Sequence, residues 1–211
     1  MFMEQYLDMP VRELLAIMQD RIVNSTTYFG VKALKSPADS WVYQEIMYEM
    51  KPDVVVEIGV NHGGGTLKLA HFCDSMNKGR VIGIDISLAN VPPIVRAHPR
   101  ITLIEKDAQK AFYDFSRLVS PDDRILVIED SAHTYENTLN VLRTYSVLIK
   151  PGDYLIVEDS ICWHGLDLGP KPGPYEAIEQ FVSENKDFVV DRSRENFFIT
   201  WNPKGYLKRV R

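Results

Sequence analysis

The 211-residue chain has few cysteines, no excess of basic residues and no long apolar run. Its two cysteines cannot form a disulfide framework. Lysine and arginine total 24 against 29 aspartates and glutamates, so the basic surface that nucleic-acid binding requires is not expected. No apolar run approaches the roughly 18 residues that span a bilayer, and residues 1–15 lack the apolar core of a signal peptide. These absences predict a cytoplasmic protein that binds neither nucleic acid nor membranes.

What the sequence contains is an alternation of short apolar runs and helical patterns. Hydrophobic residues make up 45% of the chain, which is ordinary for a globular protein with a sizeable core. The apolar runs are β-branched and continuous, as is typical of parallel strands that are covered on both faces. The predicted strands are 53–58, 81–86, 101–104, 125–129 and 154–158, and the predicted helices between them are 66–76, 108–118 and 134–148. This alternation predicts an α/β fold with a mostly parallel sheet.

The two ends of the chain stand outside this alternation. Residues 1–50 read as two helices, which we interpret as a helical cover belonging to the same domain as the sheet of residues 51–211. Near the C-terminus, residues 188–191 and 196–201 read as an antiparallel hairpin that closes the sheet. The first helix is amphipathic, so it packs either on its own domain or on a second copy in a homo-oligomer.

A glycine-rich loop follows the first predicted strand. Glu57, Gly59 and Gly63 give the spacing E-x-G-x-x-x-G, which lets the backbone turn tightly and approach a ligand. The spacing differs from the G-x-G-x-x-G of dinucleotide binders, and no Walker lysine follows. S-adenosylmethionine carries a cationic sulfonium and no pyrophosphate, so an acid in the loop suits it. The alternative is a plain strand-to-helix turn.

Two further acids end the next strands in the order that an adenosine moiety needs. Asp85 follows the second strand, where a carboxylate accepts hydrogen bonds from both ribose hydroxyls. Asp107 follows the third strand, where an adenine amino group would be recognised. Each acid alone is equally typical of a helix cap, so the prediction depends on their order after the glycine loop.

A second group of acids ends the fourth and fifth predicted strands, which both finish in Glu-Asp-Ser. Neighbouring strand ends lie about 5 Å apart, and two carboxylates at 4 Å repel by about 4 kcal/mol at an effective dielectric of 20. Such a cluster needs a divalent cation or raised pKa values. We interpret Asp130, Glu158 and Asp159 as ligands of Mg²⁺, which prefers oxygen donors. The alternative is a set of solvated acids that cap helices.

A histidine lies close to these acids in the sequence. His133, beside the predicted metal site, is a candidate to accept a proton from a substrate hydroxyl, and Asp130 itself is the other candidate. A histidine in this position also forms local hydrogen bonds without any catalytic role, and the sequence leaves both readings open.

Several stretches of the chain resemble the cephalosporin hydroxylase/rhamnosyl O-methyltransferase family of S-adenosylmethionine-dependent enzymes. The resemblance covers most of the chain through the stretches KSPADSWVYQEIMYEMKPDVVVEIGVNHGGG, IEDSAHTYENTLNVL, PGDYLIVEDS, GPYEAIEQF and FFITWNPKGYLKR. It implies a Rossmann-like, seven-stranded methyltransferase sheet and a divalent metal held by Asp130, Glu158 and Asp159. The cofactor contacts predicted on this basis are Lys35, Ser36, Glu57, Gly59, Asn61, Gly63, Gly64, Asp85 and Asp107. Val60 and Gly65 depart from the family, whose members often carry small hydroxyl residues there.

These observations predict an Mg²⁺-dependent O-methyltransferase that uses S-adenosylmethionine. Its acceptor would be a hydroxyl of a small molecule such as a sugar, a glycoside or a secondary-metabolite precursor. An iron oxygenase is disfavoured because no histidine is followed two positions later by an acid. A nicotinamide-dependent oxidoreductase is disfavoured by the glycine spacing. A non-catalytic S-adenosylmethionine-binding protein remains an alternative, although a pure binder has no need to crowd carboxylates.

Overall fold

The computed structural model describes residues 2–211, so Met1, at the start of the predicted helical cover, lies outside it. The strands are β1 (Thr27–Tyr28), β2 (Val31–Lys32), β3 (Val54–Ile58), β4 (Arg80–Asp85), β5 (Ile101–Glu105), β6 (Ile125–Glu129), β7 (Tyr154–Val157), β8 (Phe188–Val190) and β9 (Tyr206–Arg209). Within these residues the main sheet has seven strands in the order β5-β4-β3-β6-β7-β9-β8, of which β9 runs antiparallel to both neighbours. The predicted α/β fold with a mostly parallel sheet and a C-terminal antiparallel pair is confirmed.

Helices cover both faces of the sheet. They are α1 (Val11–Ser25), α2 (Pro37–Met50), α3 (Gly64–Ser75), α4 (Pro93–Arg96), α5 (Ala108–Ser116), α6 (Tyr135–Tyr145) and α7 (Pro174–Glu184). Every residue of β3, β6 and β7 is buried, which explains why these strands are continuously apolar. Alternate residues of β3 enter different cores: Val56 packs in the layer with α5, α6 and α7, and Val55 packs in the layer with α2 and α3. None of the helices within residues 2–211 combines the length and the apolar character needed to cross a membrane.

The N-terminal part of the chain packs closely against the rest. One face of α2, including Tyr43, Ile46 and Met47, is fully buried in the core beside β3 and β9. Helix α1 is more peripheral, and its Leu15 packs in a small cluster with Trp201. Residues 1–50 do contain two α-helices, α1 and α2. The first begins only at Val11, directly after Pro10, because a proline disfavours helical backbone at the residue before it.

The predicted second strand of the C-terminal hairpin, residues 196–201, is wrong. The partner of β8 is β9, at Tyr206–Arg209, and residues 196–201 form an irregular segment. The physical reason is a long-range contact: the buried carboxylate of Asp39 in α2 accepts hydrogen bonds from Thr200 Oγ1 and from the backbone N–H of Trp201. The backbone N–H of Trp201 is therefore not available to a strand ladder. Of the apolar residues in the segment, Trp201 is buried beside α1, whereas Phe197 and Phe198 are exposed.

Candidate active site

A cavity of about 450 Å³ opens at the carboxyl ends of the parallel strands. It lies where the strand order reverses direction between β3 and β6, the position at which open α/β sheets bind ligands. The predicted site residues in its wall are Gly59, Asn61, Asp85, Asp107, Asp130, His133 and Asp159. Apolar side chains, among them Leu34, Ile58 and Ile84, complete the wall. Lys35, Ser36, Glu57, Gly63, Gly64 and Glu158 lie outside this lining.

The glycine loop is held in place by contacts that only glycine permits. Gly59 has φ +96°, and a Cβ at this position would lie 1.9 Å from the carbonyl oxygen of Asp130. The loop therefore passes directly against the end of β6. Asp85 Oδ2 accepts hydrogen bonds from the N–H groups of Val60 and Asn61, each at 2.8 Å. The carboxylate of Asp85 thus holds the loop as well as lining the cavity.

Glu57, the first residue of the loop motif, is buried and contacts α3 and Lys35 instead of lining the cavity. Glu57 is 1% exposed, accepts a hydrogen bond from Thr66 Oγ1 and lies 3.2 Å from Lys35 Nζ. Gly64, at the start of α3, approaches the carbonyl oxygen of Lys32 so closely that a Cβ would be 2.4 Å away. These residues fix the position of the loop and of α3, and whether they touch a cofactor stays a prediction.

Asp107 and Ser36 both cap helices. Asp107 Oδ1 accepts hydrogen bonds from the N–H groups of Gln109 and Lys110 at the start of α5, and the residue also lines the cavity. Ser36 Oγ accepts from the N–H of Asp39 at 3.3 Å at the start of α2. The capping reading is therefore correct for Asp107, and its second oxygen is free of this role.

The predicted metal ligands meet at the adjacent ends of β6 and β7. Lys35 Nζ lies 2.5 Å from Asp130 Oδ2 and 2.8 Å from Glu158 Oε1. Burial, reinforced by the charge of Glu158, raises the pKa of Asp130 well above its usual range. Burial likewise raises the pKa of Asp159. A single ammonium does not neutralise the cluster, so the site retains an excess of negative charge.

His133 lies on the cavity side of this cluster. Its Nε2 is 3.4 Å from Asp159 Oδ2 and 3.9 Å from Asp130 Oδ1. The ligand atoms of Asp130, His133 and Asp159 all lie within 4.8 Å of one another, whereas Glu158 falls outside this group and faces Lys35. His133 has φ +54° and lies just before α6, whose N-cap is Thr134. The sequence predicted that His133 lies beside the acids, and these distances agree with that prediction.

The sequence indicated Lys35 as a site residue but not its ion pairs, and it did not indicate a role for Glu129. Lys35 was expected to contact a cofactor, and its pairing with acids 95 and 123 residues away has no local signal. Glu129 is 1% exposed, and its Oε1 accepts hydrogen bonds from Ser131 Oγ and Asn137 Nδ2, two residues of the cavity wall. Its position immediately before Asp130, at the end of a buried strand, is the sequence feature that could have indicated a buried carboxyl.

The fold and its switch-point cavity define the class of protein: the sheet is that of S-adenosylmethionine-dependent methyltransferases. A solved structure of CmcI described with Mg and SAM matches with a TM-score of 0.70 at 24% identity, covering 91% of this chain and 84% of that one. An apo structure of CmcI matches with a TM-score of 0.69 at 26% identity, covering 88% of this chain and 76% of the other.

The sequence comparisons narrow the class to a family. The pattern of the Rhamnosyl O-methyltransferase/CmcI family matches residues 20–210. A rhamnosyl O-methyltransferase of Mycobacterium tuberculosis (strain ATCC 25618 / H37Rv) is 35% identical over 191 residues, 87% of this chain and 78% of the relative. That of Mycobacterium leprae (strain TN) is 36% identical over 194 residues, 88% of this chain and 84% of the relative. The chain belongs to the Rhamnosyl O-methyltransferase/CmcI family, and the resemblance drawn from the sequence is confirmed.

Proposed function

We propose that this O-methyltransferase transfers the methyl group of S-adenosylmethionine to a hydroxyl of a rhamnosyl or related glycosyl acceptor, with a divalent cation such as Mg²⁺ at the acceptor. The observation that carries the proposal is the shared cavity. Gly59, Asp85 and Asp107 line the same space as the cluster of Asp130, His133 and Asp159. A cofactor and a metal-held acceptor would therefore meet within one cavity.

The cofactor half of the cavity fits an adenosine and a sulfonium. Apolar side chains such as Ile84 and Ile86 offer a surface for an adenine ring. Asp85 Oδ1, which accepts one backbone N–H, and Asp107 Oδ2 keep lone pairs for hydroxyl and amino donors. S-adenosylmethionine supplies an electrophilic methyl group on a cationic sulfur. The surrounding acids favour that positive charge, and Gly59 lies in the wall of the same cavity.

The carboxylate cluster fits a hard divalent cation. Asp130, Glu158 and Asp159 are the proposed ligands, because carboxylate oxygens suit Mg²⁺ and their crowding exceeds what Lys35 offsets. A divalent cation there would lower the pKa of an acceptor hydroxyl. His133 is the proposed proton acceptor, since it faces the cavity while Asp130 Oδ2 is already engaged by Lys35. The relatives named above support rhamnose as the acceptor sugar.

The test is a methyl-transfer assay with S-adenosylmethionine and a panel of rhamnosyl glycosides and phenols. We expect turnover of rhamnosyl acceptors, its loss in excess chelator and its recovery with added Mg²⁺. Asp130→Asn should lower activity by about 100-fold or more, because it replaces a negatively charged metal ligand by a neutral amide. The exposed Asp122→Asn is the matched control and should behave as wild type.

Full activity in excess chelator would contradict the metal assignment without affecting the transferase assignment. Calorimetric titration with S-adenosylmethionine and NADH separates the alternatives. Binding of NADH alone would favour an oxidoreductase. Binding of S-adenosylmethionine without transfer to any acceptor of the panel would favour a non-catalytic binding protein.

A further inference from the structure

Lys35 places a positive charge in the middle of the candidate metal ligands. Its Nζ lies 2.5 Å from Asp130 Oδ2, 2.8 Å from Glu158 Oε1 and 3.2 Å from Glu57 Oε1. The side chain is only 10% exposed. Charge-assisted hydrogen bonds of this length are strong, particularly where water is excluded. The ammonium thus holds oxygens of two of the three proposed ligands.

The backbone is arranged to deliver Lys35 to this position. The residue immediately precedes Ser36, the buried N-cap of α2, so the start of that helix fixes its direction. Gly65 in α3 leaves space for the lysine stem: a Cβ there would lie 2.6 Å from Lys35 Cε and 2.5 Å from Glu57 Oε1. A glycine in the first turn of a helix, where alanine is favoured on propensity, is explained by this close approach.

Nearby charges keep the ammonium protonated. Burial by itself would lower the pKa of Lys35, but the charges of Asp130, Glu158 and Glu57 raise it well above its ordinary value. Lys68, also buried, differs in both respects: its Nζ donates to Ser40 Oγ at 2.8 Å, and burial lowers its pKa to about 8. Lys35 is the lysine bonded directly to the cluster, and Lys68 provides a natural comparison.

We propose that Lys35 is an internal counter-ion that a divalent cation must displace from Asp130 and Glu158. The inference rests on the proposed function, because it takes these acids as metal ligands. In the metal-free protein the ammonium stabilises carboxylates that would otherwise repel one another, and so preserves the folded site. The same contacts weaken metal binding, because the incoming cation competes for oxygens that are already engaged.

The experiment compares Lys35→Met with Lys68→Met in metal-stripped full-length protein. Mg²⁺ affinity is measured by calorimetry, and the melting temperature is measured with and without saturating Mg²⁺. We expect Lys35→Met to bind Mg²⁺ about tenfold more tightly or better, because the competing charge is gone. Its melting temperature should fall without Mg²⁺ and recover with it. Lys68→Met should shift the melting temperature by the same amount with and without Mg²⁺ and leave the Mg²⁺ affinity within about twofold.

If Lys35→Met does not fold, Gly65→Ala is the second variant, because its new methyl group displaces the lysine end and leaves the charge composition unchanged. Tighter Mg²⁺ binding in either variant supports the inference. Wild-type affinity or weaker binding in these variants overturns it, even though the metal site itself would stand. If wild type binds no Mg²⁺ but Lys35→Met does, the counter-ion role is supported. If neither protein binds Mg²⁺, both this inference and the proposed metal site are wrong.

Discussion

The acids at the strand ends could be predicted as residues, but their partners could not. Asp130 and Glu158 were identifiable because each ends an apolar strand, and neighbouring parallel strands bring their carboxyl ends together. The ion pairs with Lys35 depend on how α2 enters the fold beside β3, which no spacing in the sequence encodes. Positions along one sheet edge were thus predictable, and contacts across layers were not.

Glu129 is a buried carboxyl whose environment favours its neutral form. Burial raises its pKa to about 7, and Oε2 has no hydrogen-bond partner among the residues that the structure describes. An acid with a raised pKa binds its proton more tightly in the folded state than in the unfolded one. Its contribution to stability therefore falls as the pH rises from the unfolded pKa, about 4.3, to the folded value.

We predict that Glu129→Gln removes this pH dependence. The free energy of unfolding of wild type should fall relative to the variant by up to about 3 kcal/mol between pH 5 and pH 7.5, since each pKa unit corresponds to about 1.4 kcal/mol. The measurement is urea denaturation in excess chelator at the two pH values. Exposed Glu136→Gln serves as the control. Parallel pH profiles for wild type and Glu129→Gln would show that the carboxyl is not titrating in this range.

At the scale of the element, the glycine loop depends on two separate properties of Gly59. It adopts φ +96°, and a Cβ would collide with the carbonyl oxygen of Asp130 at 1.9 Å. Gly152 separates these effects, because it has φ +92° and a Cβ added there would meet nothing within 4 Å. Strain alone acts at Gly152, and strain plus collision acts at Gly59.

We predict that Gly152→Ala lowers the free energy of unfolding by about 1–2 kcal/mol, the cost of a left-handed backbone for a residue with a Cβ. Gly59→Ala should cost at least about 2 kcal/mol more, because the loop must move away from β6. It should also weaken S-adenosylmethionine binding at least tenfold, whereas Gly152→Ala should bind normally. Denaturant titration and calorimetry provide the two readouts. Equal losses of stability would mean that the loop yields without cost.

The elements themselves were predictable wherever local pattern and burial agree. The parallel strands β3, β6 and β7 are continuous apolar runs because helices cover both of their faces, and this pattern is visible in the sequence. Residues 196–201 show a similar pattern without forming a strand: Phe197 and Phe198 are exposed, and Trp201 is buried against α1 with its N–H bonded to Asp39. An apolar run by itself therefore does not distinguish a covered strand from an irregular segment.

At the scale of the whole molecule, the acidity is concentrated rather than spread evenly. The chain has a net charge of -5, and several of its acids gather at the carboxyl edge of the sheet. The residues involved are Glu57, Asp85, Asp107, Asp130, Glu158 and Asp159. A cationic cofactor and a divalent cation would offset this excess, so the loaded protein would be less acidic than its composition indicates.

The N-terminal helices are predicted to be part of the same folding unit as the sheet. In α2, Val42, Tyr43, Ile46, Met47 and Met50 are at most 2% exposed. Burial of each such side chain stabilises a protein by about 2 kcal/mol, which is a large share of a typical net stability of about 5–15 kcal/mol. Asp39 adds a buried link to the C-terminal part, since it also accepts a hydrogen bond from Tyr206 Oη at 2.8 Å. By contrast, residues 2–8 are exposed.

Two truncated chains test this prediction. Removing residues 1–8 should change the melting temperature by no more than a few degrees, because exposed residues contribute little. Removing residues 1–50 should abolish cooperative unfolding, because it exposes the apolar face of β3, β6 and β7 that α2 covers and leaves Thr200 and Tyr206 without their acceptor. Circular dichroism melts and size-exclusion chromatography provide the measurement. A monomeric, cooperatively unfolding 51–211 chain would show that the helical cover is a separate domain, and S-adenosylmethionine binding by that chain would place the whole cofactor site in the sheet alone.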